Sequence, residues 1–266
     1  MRKLLGLLLM GFIVQLLFYC SQINKKPFVS FLNVGQGDAT LIKTSKGKLI
    51  LIDAGPNFEV SNYISELFLF NECRLDSVFI THPHKDHYFG LSRLVNYCNV
   101  KNIYVANFYV AADDYLRAIS SATTETFILQ RGDVLSIDEI FIKVLWPPNG
   151  YFSEDLNSLS LVMLIESPNT TILMTGDVAS TVLDNIVGEV APTWAQKPLL
   201  IYKFPHHGSL ASLNTNIFKA YKPDYIVIPV GKENAFGHPD KEVITYLRSY
   251  DYKYFLTYLG NVVFPL

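Results

Sequence analysis

Residues 78–90 read Val78-Phe79-Ile80-Thr81-His82-Pro83-His84-Lys85-Asp86-His87-Tyr88-Phe89-Gly90. An apolar run here leads at once into four potential metal ligands. Imidazole nitrogens and carboxylate oxygens suit zinc, manganese or iron, and the absence of thiolates argues against a closed structural zinc site. Side chains at i and i+2 of an extended segment lie on the same side, so His82 and His84 can bind one ion. Asp86 and His87, on the following turn, can bind a second. The stretch therefore indicates a catalytic metal site rather than a polar loop.

Short β-branched and aromatic runs flank this stretch on both sides. They predict strands at residues 28–32, 39–42, 49–52, 77–80, 102–105, 161–165, 171–174, 199–202, 225–228 and 254–257. The first three lie close together with turn residues between them, which favours an antiparallel meander. Helical patterns occur at residues 61–70, 90–97, 111–121, 181–187 and 241–250. Two strand-rich halves with helices between them predict an α/β (α+β) protein whose sheets stack face to face beneath outer helices.

Composition indicates a globular chain. Of its 266 residues 50% are apolar, 14% aromatic and 17% charged, which excludes collagen-like and disordered classes. No internal repeat or linker follows the N-terminal segment, so residues 26–266 are predicted to form one domain. A net charge of -2 gives no general reason to bind nucleic acid. A polyanionic substrate would therefore need local positive charge, such as bound metal. The three cysteines show no C-x-x-C spacing, and the sequence leaves open whether Cys73 and Cys98 pair.

The N-terminal segment has the features of an export signal. Arg2 and Lys3 precede an apolar run over residues 4–19, which falls short of the ~20 residues that a membrane-spanning helix needs. Residues 1–20 are therefore predicted to be a signal segment, and the protein to be exported. Cys20 directly after the run suggests a membrane-anchored lipoprotein, but Phe18 and Tyr19 are larger than the residues such cleavage sites favour. A plain signal peptide, giving a periplasmic or extracellular protein, and an uncleaved anchor remain alternatives.

The histidine-rich run also resembles the signature of the metallo-β-lactamase fold superfamily. Other segments are similar, in order and spacing, to the hydrolase (nuclease) domain of the competence protein ComEC over about residues 28–266. These segments are Asn33-Val34-Gly35-Gln36-Gly37-Asp38-Ala39, Leu51-Ile52-Asp53-Ala54-Gly55-Pro56, Thr175-Gly176-Asp177 and His206-His207-Gly208-Ser209. The resemblance implies a four-layered αββα sandwich with a site for two divalent metal ions, zinc or manganese, at one edge of the stacked sheets.

The same resemblance assigns roles to individual residues. His82 and His84 would hold the first metal, and Asp86 with His87 the second. Asp177 would bridge both ions, because its two carboxylate oxygens can each bind one cation. Within the doublet at residues 206–207, His207 is predicted to complete the second site. His206 would contact the substrate or supply a proton to the leaving group.

Four further features are less determined. No histidine lies between Tyr88 and Lys203, where many superfamily members place another ligand of the first metal. Asn157 lies in a segment similar to the asparagine-containing one of the ComEC branch, and it can bind either metal or substrate. Asp53 would orient a metal-ligating histidine or simply end a strand. His238, in Phe236-Gly237-His238-Pro239, resembles another motif of that branch and would contact an anionic group or lie solvated in a loop.

These patterns predict an exported metal-dependent hydrolase, specifically a phosphodiesterase or DNase that uses a metal-bridged hydroxide. The expected substrate is a phosphodiester, with single-stranded DNA as a candidate, and no protein partner is predicted. The paired histidines and the incomplete first site favour phosphorus over carbonyl chemistry. The alternatives are an ester, lactone or thioester hydrolase of the same fold, an envelope phosphorylcholine-type esterase, and a metal-binding protein without turnover.

Overall fold

The computed structural model describes residues 26–67, 73–106, 113–120, 125–190 and 199–266, with two isolated positions, Met10 and Gln15, near the N-terminus. The predicted signal over residues 1–20 lies almost entirely outside this part of the chain, as do the ends of two predicted helices. Within the described residues, no helix combines the length and apolar character that crossing a bilayer requires.

Sixteen strands are present in the described ranges. They are β1 (Phe28–Phe31), β2 (Thr40–Lys43), β3 (Leu49–Ile52), β4 (Arg74–Leu75), β5 (Ser77–Ile80), β6 (Asn99–Val100), β7 (Asn102–Ala106), β8 (Glu125–Leu129), β9 (Val134–Ile137), β10 (Ile140–Trp146), β11 (Val162–Glu166), β12 (Thr170–Met174), β13 (Leu199–Lys203), β14 (Tyr225–Ile228), β15 (Tyr254–Leu256) and β16 (Val262–Pro265). They form two seven-stranded sheets, ordered β16-β1-β2-β3-β5-β7-β8 and β15-β14-β13-β12-β11-β10-β9, while β4 and β6 pair separately.

The helices of the described ranges divide between the two sheets. They are α1 (Glu59–Leu67), α2 (Lys85–Tyr88), α3 (Leu91–Tyr97), α4 (Asp113–Ser120), α5 (Ser180–Asp184), α6 (Val187–Val190), α7 (Thr215–Tyr221) and α8 (Lys241–Ser249). Ile64 of α1 and Leu94 of α3 share a core with the first sheet. Phe218 of α7 and Leu247 of α8 share another with the second. Each group of helices therefore covers the outer face of one sheet.

A third core lies between the sheets. On β3, Ile50 and Ile52 belong to this central core, whereas Leu49 and Leu51 belong to the core beneath the helices. Because both faces of the strand are buried, it is a continuous apolar run without polar alternation. The layers are thus helix, sheet, sheet, helix. The predicted α/β class and the αββα sandwich are confirmed, and so is the meander, since β1, β2 and β3 pair antiparallel in order.

Several elements were not predicted from the sequence: β4, β6, β8, β9, β10, β16, α2, α6 and α7. Strand β8 (Glu-Thr-Phe-Ile-Leu) exposes its first four residues, apolar Phe127 and Ile128 included, so its apolar side chains do not alternate with polar ones as in a half-buried strand. Strand β16 pairs with β1, more than 200 residues away, so the sequence around β16 does not indicate which strand it pairs with. The structure also answers a question that the sequence left open, because Cys73 and Cys98 form a disulfide.

Candidate metal centre

The histidine-rich segment leaves the carboxyl end of β5, beside the end of its parallel neighbour β3. Asp53 follows β3 with a left-handed φ of 57°, which turns its carboxylate toward β5. Oδ1 accepts a hydrogen bond from the Thr81 backbone N at 2.8 Å, and Oδ2 accepts one from His87 Nδ1 at 2.8 Å. Because Nδ1 pairs with Asp53, Nε2 is the ring nitrogen that His87 presents to the other candidate metal ligands. Asp53 therefore lies where the orienting role predicted for it requires.

Asp177 reaches the same point from the second sheet, in the turn after β12. Its Oδ2 lies 3.2 Å from His87 Nε2, and its backbone N donates to Ser160 Oγ at 3.1 Å. The turn passes through Gly176, whose φ is 50°. A Cβ atom at Gly176 would lie 2.5 Å from the Cβ of Ser160. Glycine thus allows the close approach that places the Asp177 carboxylate at the edge shared by both sheets.

His207 completes this group from the segment after β13. His206 and His207 both have left-handed backbone conformations, with φ of 50° and 53°. The Nδ1 atom of His207 donates to the Pro229 carbonyl at 2.9 Å, so Nε2 lies 3.1 Å from Asp86 Oδ2 and 3.5 Å from Asp177 Oδ2. The structure thus brings together all four residues predicted for the second metal.

The two residues predicted for the first metal lie beside this group. His82 Nε2 is 3.1 Å from His84 Nδ1, and the rings of His82 and His87 are 4.1 Å apart. Burial lowers the pKa of His82 well below its ordinary value, which leaves the ring neutral. A neutral imidazole has a free nitrogen lone pair for a cation. The geometry therefore suits the predicted pair, although ligand roles for all six residues remain predictions.

Sequence reasoning missed two charged residues of this cluster. Asp38 offers an oxygen that lies within 4.8 Å of the ligand atoms of His87, Asp177 and His207. Lys203, almost fully buried at the end of β13, forms an ion pair with Asp38. Its Nζ also donates to the Gly176 carbonyl at 2.7 Å and lies 3.4 Å from Asp177 Oδ1. Two sequence features could have identified these residues. Asp38 ends the Gly-Gln-Gly-Asp turn of a family motif, and Lys203 is the charged residue that ends an otherwise uncharged strand.

The electrostatics of the cluster favour a bound cation. Burial opposes charge on His87, but the carboxylates of Asp177, Asp53 and Asp38 outweigh it and raise the pKa of His87 well above its ordinary value. Burial likewise opposes charge on His207, yet Asp177 and Asp38 raise the pKa of His207 to about 10. The acidic side chains thus attract positive charge at this point. Both rings also turn Nε2 inward while Nδ1 is held outside, the arrangement by which proteins fix metal-binding histidines. The residues present therefore fit a divalent metal ion.

A cavity of about 440 Å³ opens beside the cluster. The remaining predicted site residues, Asn157, His206 and His238, all line it. The Asn157 Oδ1 atom is buried without a hydrogen-bond partner among the described residues. The His206 backbone N donates to Asp177 Oδ1 at 3.2 Å, and the His206 and His238 rings lie 5.7 Å apart. The structure thus places the candidate substrate-contacting residues around one opening that reaches the candidate ligands.

With this fold and this site, the chain belongs to the metallo-beta-lactamase superfamily, a family of metal-dependent hydrolases, whose match covers residues 32–231. Among particular relatives, ComE operon protein 3 of Bacillus subtilis (strain 168) is 24% identical over 254 residues, covering 88% of this chain and 32% of that protein. The chain thus spans about a third of that relative's length. These matches confirm the resemblance drawn from the motifs.

Solved structures show the same fold at low identity. The metallo-beta-lactamase fold protein YhfI from Bacillus subtilis superposes with a TM-score of 0.61 at 15% identity, covering 91% of this chain and 100% of YhfI. A diphosphatase from the PhnP family gives a TM-score of 0.54 at 14% identity, covering 90% of this chain and 98% of that protein.

Proposed function

We propose that this protein is a metal-dependent phosphodiesterase whose substrate is a phosphodiester such as single-stranded DNA. The observation that carries the proposal is the position of the Asp177 carboxylate. It lies between the imidazoles of His87 and His207 and forms part of the wall of the cavity that His206 and His238 also line. A site that joins a cation-binding cluster to a cavity lined by hydrogen-bond donors suits an anionic substrate.

In the proposed site, Asp86, His87 and His207 would hold one divalent cation together with Asp177. His82 and His84 would hold the other beside the same carboxylate. Bound cations of this kind activate water and offset negative charge on phosphorus. They would also reconcile an anionic substrate with a protein whose net charge is -2.

Other residues that line the cavity would act on the substrate directly. In hydrolysis, the oxygen of water bonds to phosphorus while an ester P–O bond breaks, and the departing alkoxide takes up a proton. Burial lowers the pKa of His206, so its ring is neutral near pH 7 and still carries one N–H donor. His206 would donate this hydrogen bond to a phosphate oxygen or to the leaving group. Asn157 would contact the substrate or the first metal.

Two of the similarities support phosphorus chemistry. The PhnP-family relative is a diphosphatase, and the motifs of this chain resemble the hydrolase domain of ComEC. Because the chain spans about a third of its competence-operon relative, the activity of that whole protein comes to this chain only as a proposal. Single-stranded DNA is accordingly one of the substrates to test, beside small phosphodiesters.

The test is hydrolysis of bis-p-nitrophenyl phosphate by the full chain with zinc or manganese and then with chelator. We expect turnover that chelation abolishes and that Asp177→Asn reduces at least about 100-fold, because the shared carboxylate is lost. Asp184→Asn, at an exposed position of α5, is the matched control and should keep full activity. Turnover that resists chelator, or none with several divalent metals, would contradict the proposal. Metal-dependent hydrolysis of lactones or thioesters alone would favour the carbonyl alternative.

We also propose that the protein is exported and held at the membrane by its N-terminal segment or by a lipid on Cys20. The Cys73–Cys98 disulfide supports export, because disulfides persist mainly in oxidising compartments. Mass spectrometry of the protein purified from membranes would test the anchor. An acylated N-terminal cysteine is expected for a lipoprotein, whereas an unmodified mature chain would exclude the lipid.

A further inference from the structure

An exposed aromatic ring forms part of the wall of the cavity beside the candidate metal centre. Phe236 lines this cavity together with Asp177 and His206, yet its side chain is 70% exposed. Its ring is nearly parallel to that of His238, with an angle of 13° and centroids 6.0 Å apart. The cavity wall therefore combines ionisable groups with a flat apolar surface.

Hydrogen bonds hold the loop that carries this ring. Asn234 Nδ2 donates to the carbonyls of Gly231 at 3.0 Å and His238 at 2.7 Å, while Asn234 Oδ1 accepts from the His238 backbone N at 3.0 Å. Farther along, the Asp240 backbone N donates to the carbonyl of Gly208, next to the histidine doublet, at 3.0 Å. These hydrogen bonds connect residues within the loop and join the loop to the segment that carries the histidine doublet. Phe236 is held in its exposed position by a supported backbone rather than by burial in a core.

An exposed phenyl ring in the wall of a cavity that polar side chains also line suits a ligand that joins an anion to a planar ring. Nucleotides have this composition, and every base offers a π face that stacks on an aromatic side chain without regard to sequence. In a duplex both faces of a base are covered by its neighbours, so only an unpaired base can stack in this way. A volume of about 440 Å³ falls within the range of small-molecule sites.

We propose that Phe236, backed by His238, forms a stacking subsite for one unpaired nucleobase next to the scissile phosphodiester. This inference rests on the proposed phosphodiesterase function and narrows its substrate class to single-stranded nucleic acid or nucleotide diesters. The subsite sets specificity through binding, whereas the reaction itself takes place at the metal centre.

The test compares two octamers with the same sugar-phosphate backbone, octathymidylate and an abasic octamer, as substrates of the full chain. The unsubstituted protein should show the lower KM for octathymidylate. Phe236→Ala should raise that KM about tenfold, the effect expected from losing one stacked base, and leave kcat and the abasic KM unchanged. Phe236→Leu, which keeps an apolar side chain but loses the π face, should behave like Phe236→Ala, and Phe236→Trp should retain the preference. Phe141→Ala removes a 51% exposed ring from β10, outside the cavity wall, and should change nothing.

Equal KM values for the two octamers, or an equal effect of Phe236→Ala on both, would overturn the stacking subsite while the phosphodiesterase proposal stands. So would a rise in KM confined to p-nitrophenyl phosphorylcholine, since the ring would then recognise a trimethylammonium group by a cation–π contact. If no phosphodiester is hydrolysed, the proposed function fails. Equilibrium binding of fluorescein-labelled octamers then tests whether the stacking subsite exists. Tighter binding of octathymidylate that depends on Phe236 supports it, and binding without a base preference overturns it.

Discussion

His87 and His207 approach the metal centre with rings that are oriented by groups outside it. Asp53 accepts a hydrogen bond from Nδ1 of His87, and the Pro229 carbonyl accepts one from Nδ1 of His207. Each contact leaves Nε2 as the atom that faces Asp177. An orienting partner of this kind also raises the basicity of a ligating nitrogen, so metal binding at the candidate centre would depend on these partners as well as on the ligands themselves.

Asp53→Asn tests this dependence at the scale of one residue. The amide cannot accept the His87 proton as strongly, so we expect metal affinity to fall about 10- to 100-fold. Competition with a chromophoric chelator measures the change. Asp251→Asn is the matched control, because Asp251 is exposed and has a similar left-handed φ of 55°. Equal metal affinity in the Asp53→Asn variant and the unsubstituted protein would contradict the orienting role.

Among the secondary-structure elements, the corner between α2 and α3 controls how Asp86 and His87 are presented. Gly90 lies at this corner, and its backbone N donates to the Gly55 carbonyl at 3.0 Å. A Cβ atom there would lie 2.1 Å from the Ala54 carbonyl oxygen and 2.6 Å from that of Asn57. The helix pair can therefore pack against the segment after β3 only through a residue without a side chain.

Gly90→Ala should lower the free energy of unfolding by about 1–3 kcal/mol, the usual effect of overpacking, because two carbonyl oxygens must move. It should also weaken metal binding, since the same corner positions His87. Gly188→Ala is the control: Gly188 lies in α6 with open space at its Cβ position, so alanine should be neutral or stabilise by up to about 1 kcal/mol. Denaturant unfolding measures both variants, and similar values for the two would contradict the packing argument.

The disulfide is a second constraint at the scale of elements. Cys73 and Cys98 are 25 residues apart, and the loop they close contains β5, the histidine-rich turn and α3. For a loop of this length the chain-entropy model gives about 3.5 kcal/mol of stabilisation. The double variant Cys73→Ser/Cys98→Ser should lose about that amount in denaturant unfolding. The denaturant midpoint of this double variant should not change with dithiothreitol, whereas the denaturant midpoint of the unsubstituted protein should fall. A midpoint that is the same in oxidising and reducing buffer for the unsubstituted protein would contradict this role.

For the whole molecule, the candidate metal centre draws its residues from both sheets. The residues at positions 82–87 follow β5 of the first sheet, whereas Asp177 and His207 follow β12 and β13 of the second. A cation bound between them would link the halves of the sandwich. Metal binding should therefore be coupled to the stability of the entire domain rather than to one loop.

Thermal unfolding with and without metal tests this coupling. At a free metal concentration about 100 times the Kd, binding stabilises the folded state by about 2.7 kcal/mol. For a domain of this size that raises Tm by roughly 5–10 °C. Zinc or manganese should give this rise in the unsubstituted protein, and Asp177→Asn should lose most of it. The same Tm in metal and in chelator would show that no cation links the sheets.

The sequence by itself determined the features that are local in the chain. The histidine-rich segment places His82, His84, Asp86 and His87 within six positions, so a cation site can be predicted from spacing alone. Strands such as β3 and β5 can also be predicted from the sequence, because a strand buried on both faces needs a nearly continuous apolar run. The layered fold follows from the order of such elements and from the family motifs.

The family motifs already assigned the distant Asp177 and His207 to the site, but only the tertiary structure decided which other distant groups meet. Asp38 and Lys203 form their ion pair across 165 positions of the chain, and neither has a periodic signal that points to the other. The same holds for the exposed ring of Phe236, which lines the same cavity as Asp177, and for the pairing of Cys73 with Cys98. Side-chain proximity between remote segments depends on how the sheets stack and where each turn ends, and composition and periodicity do not encode these positions.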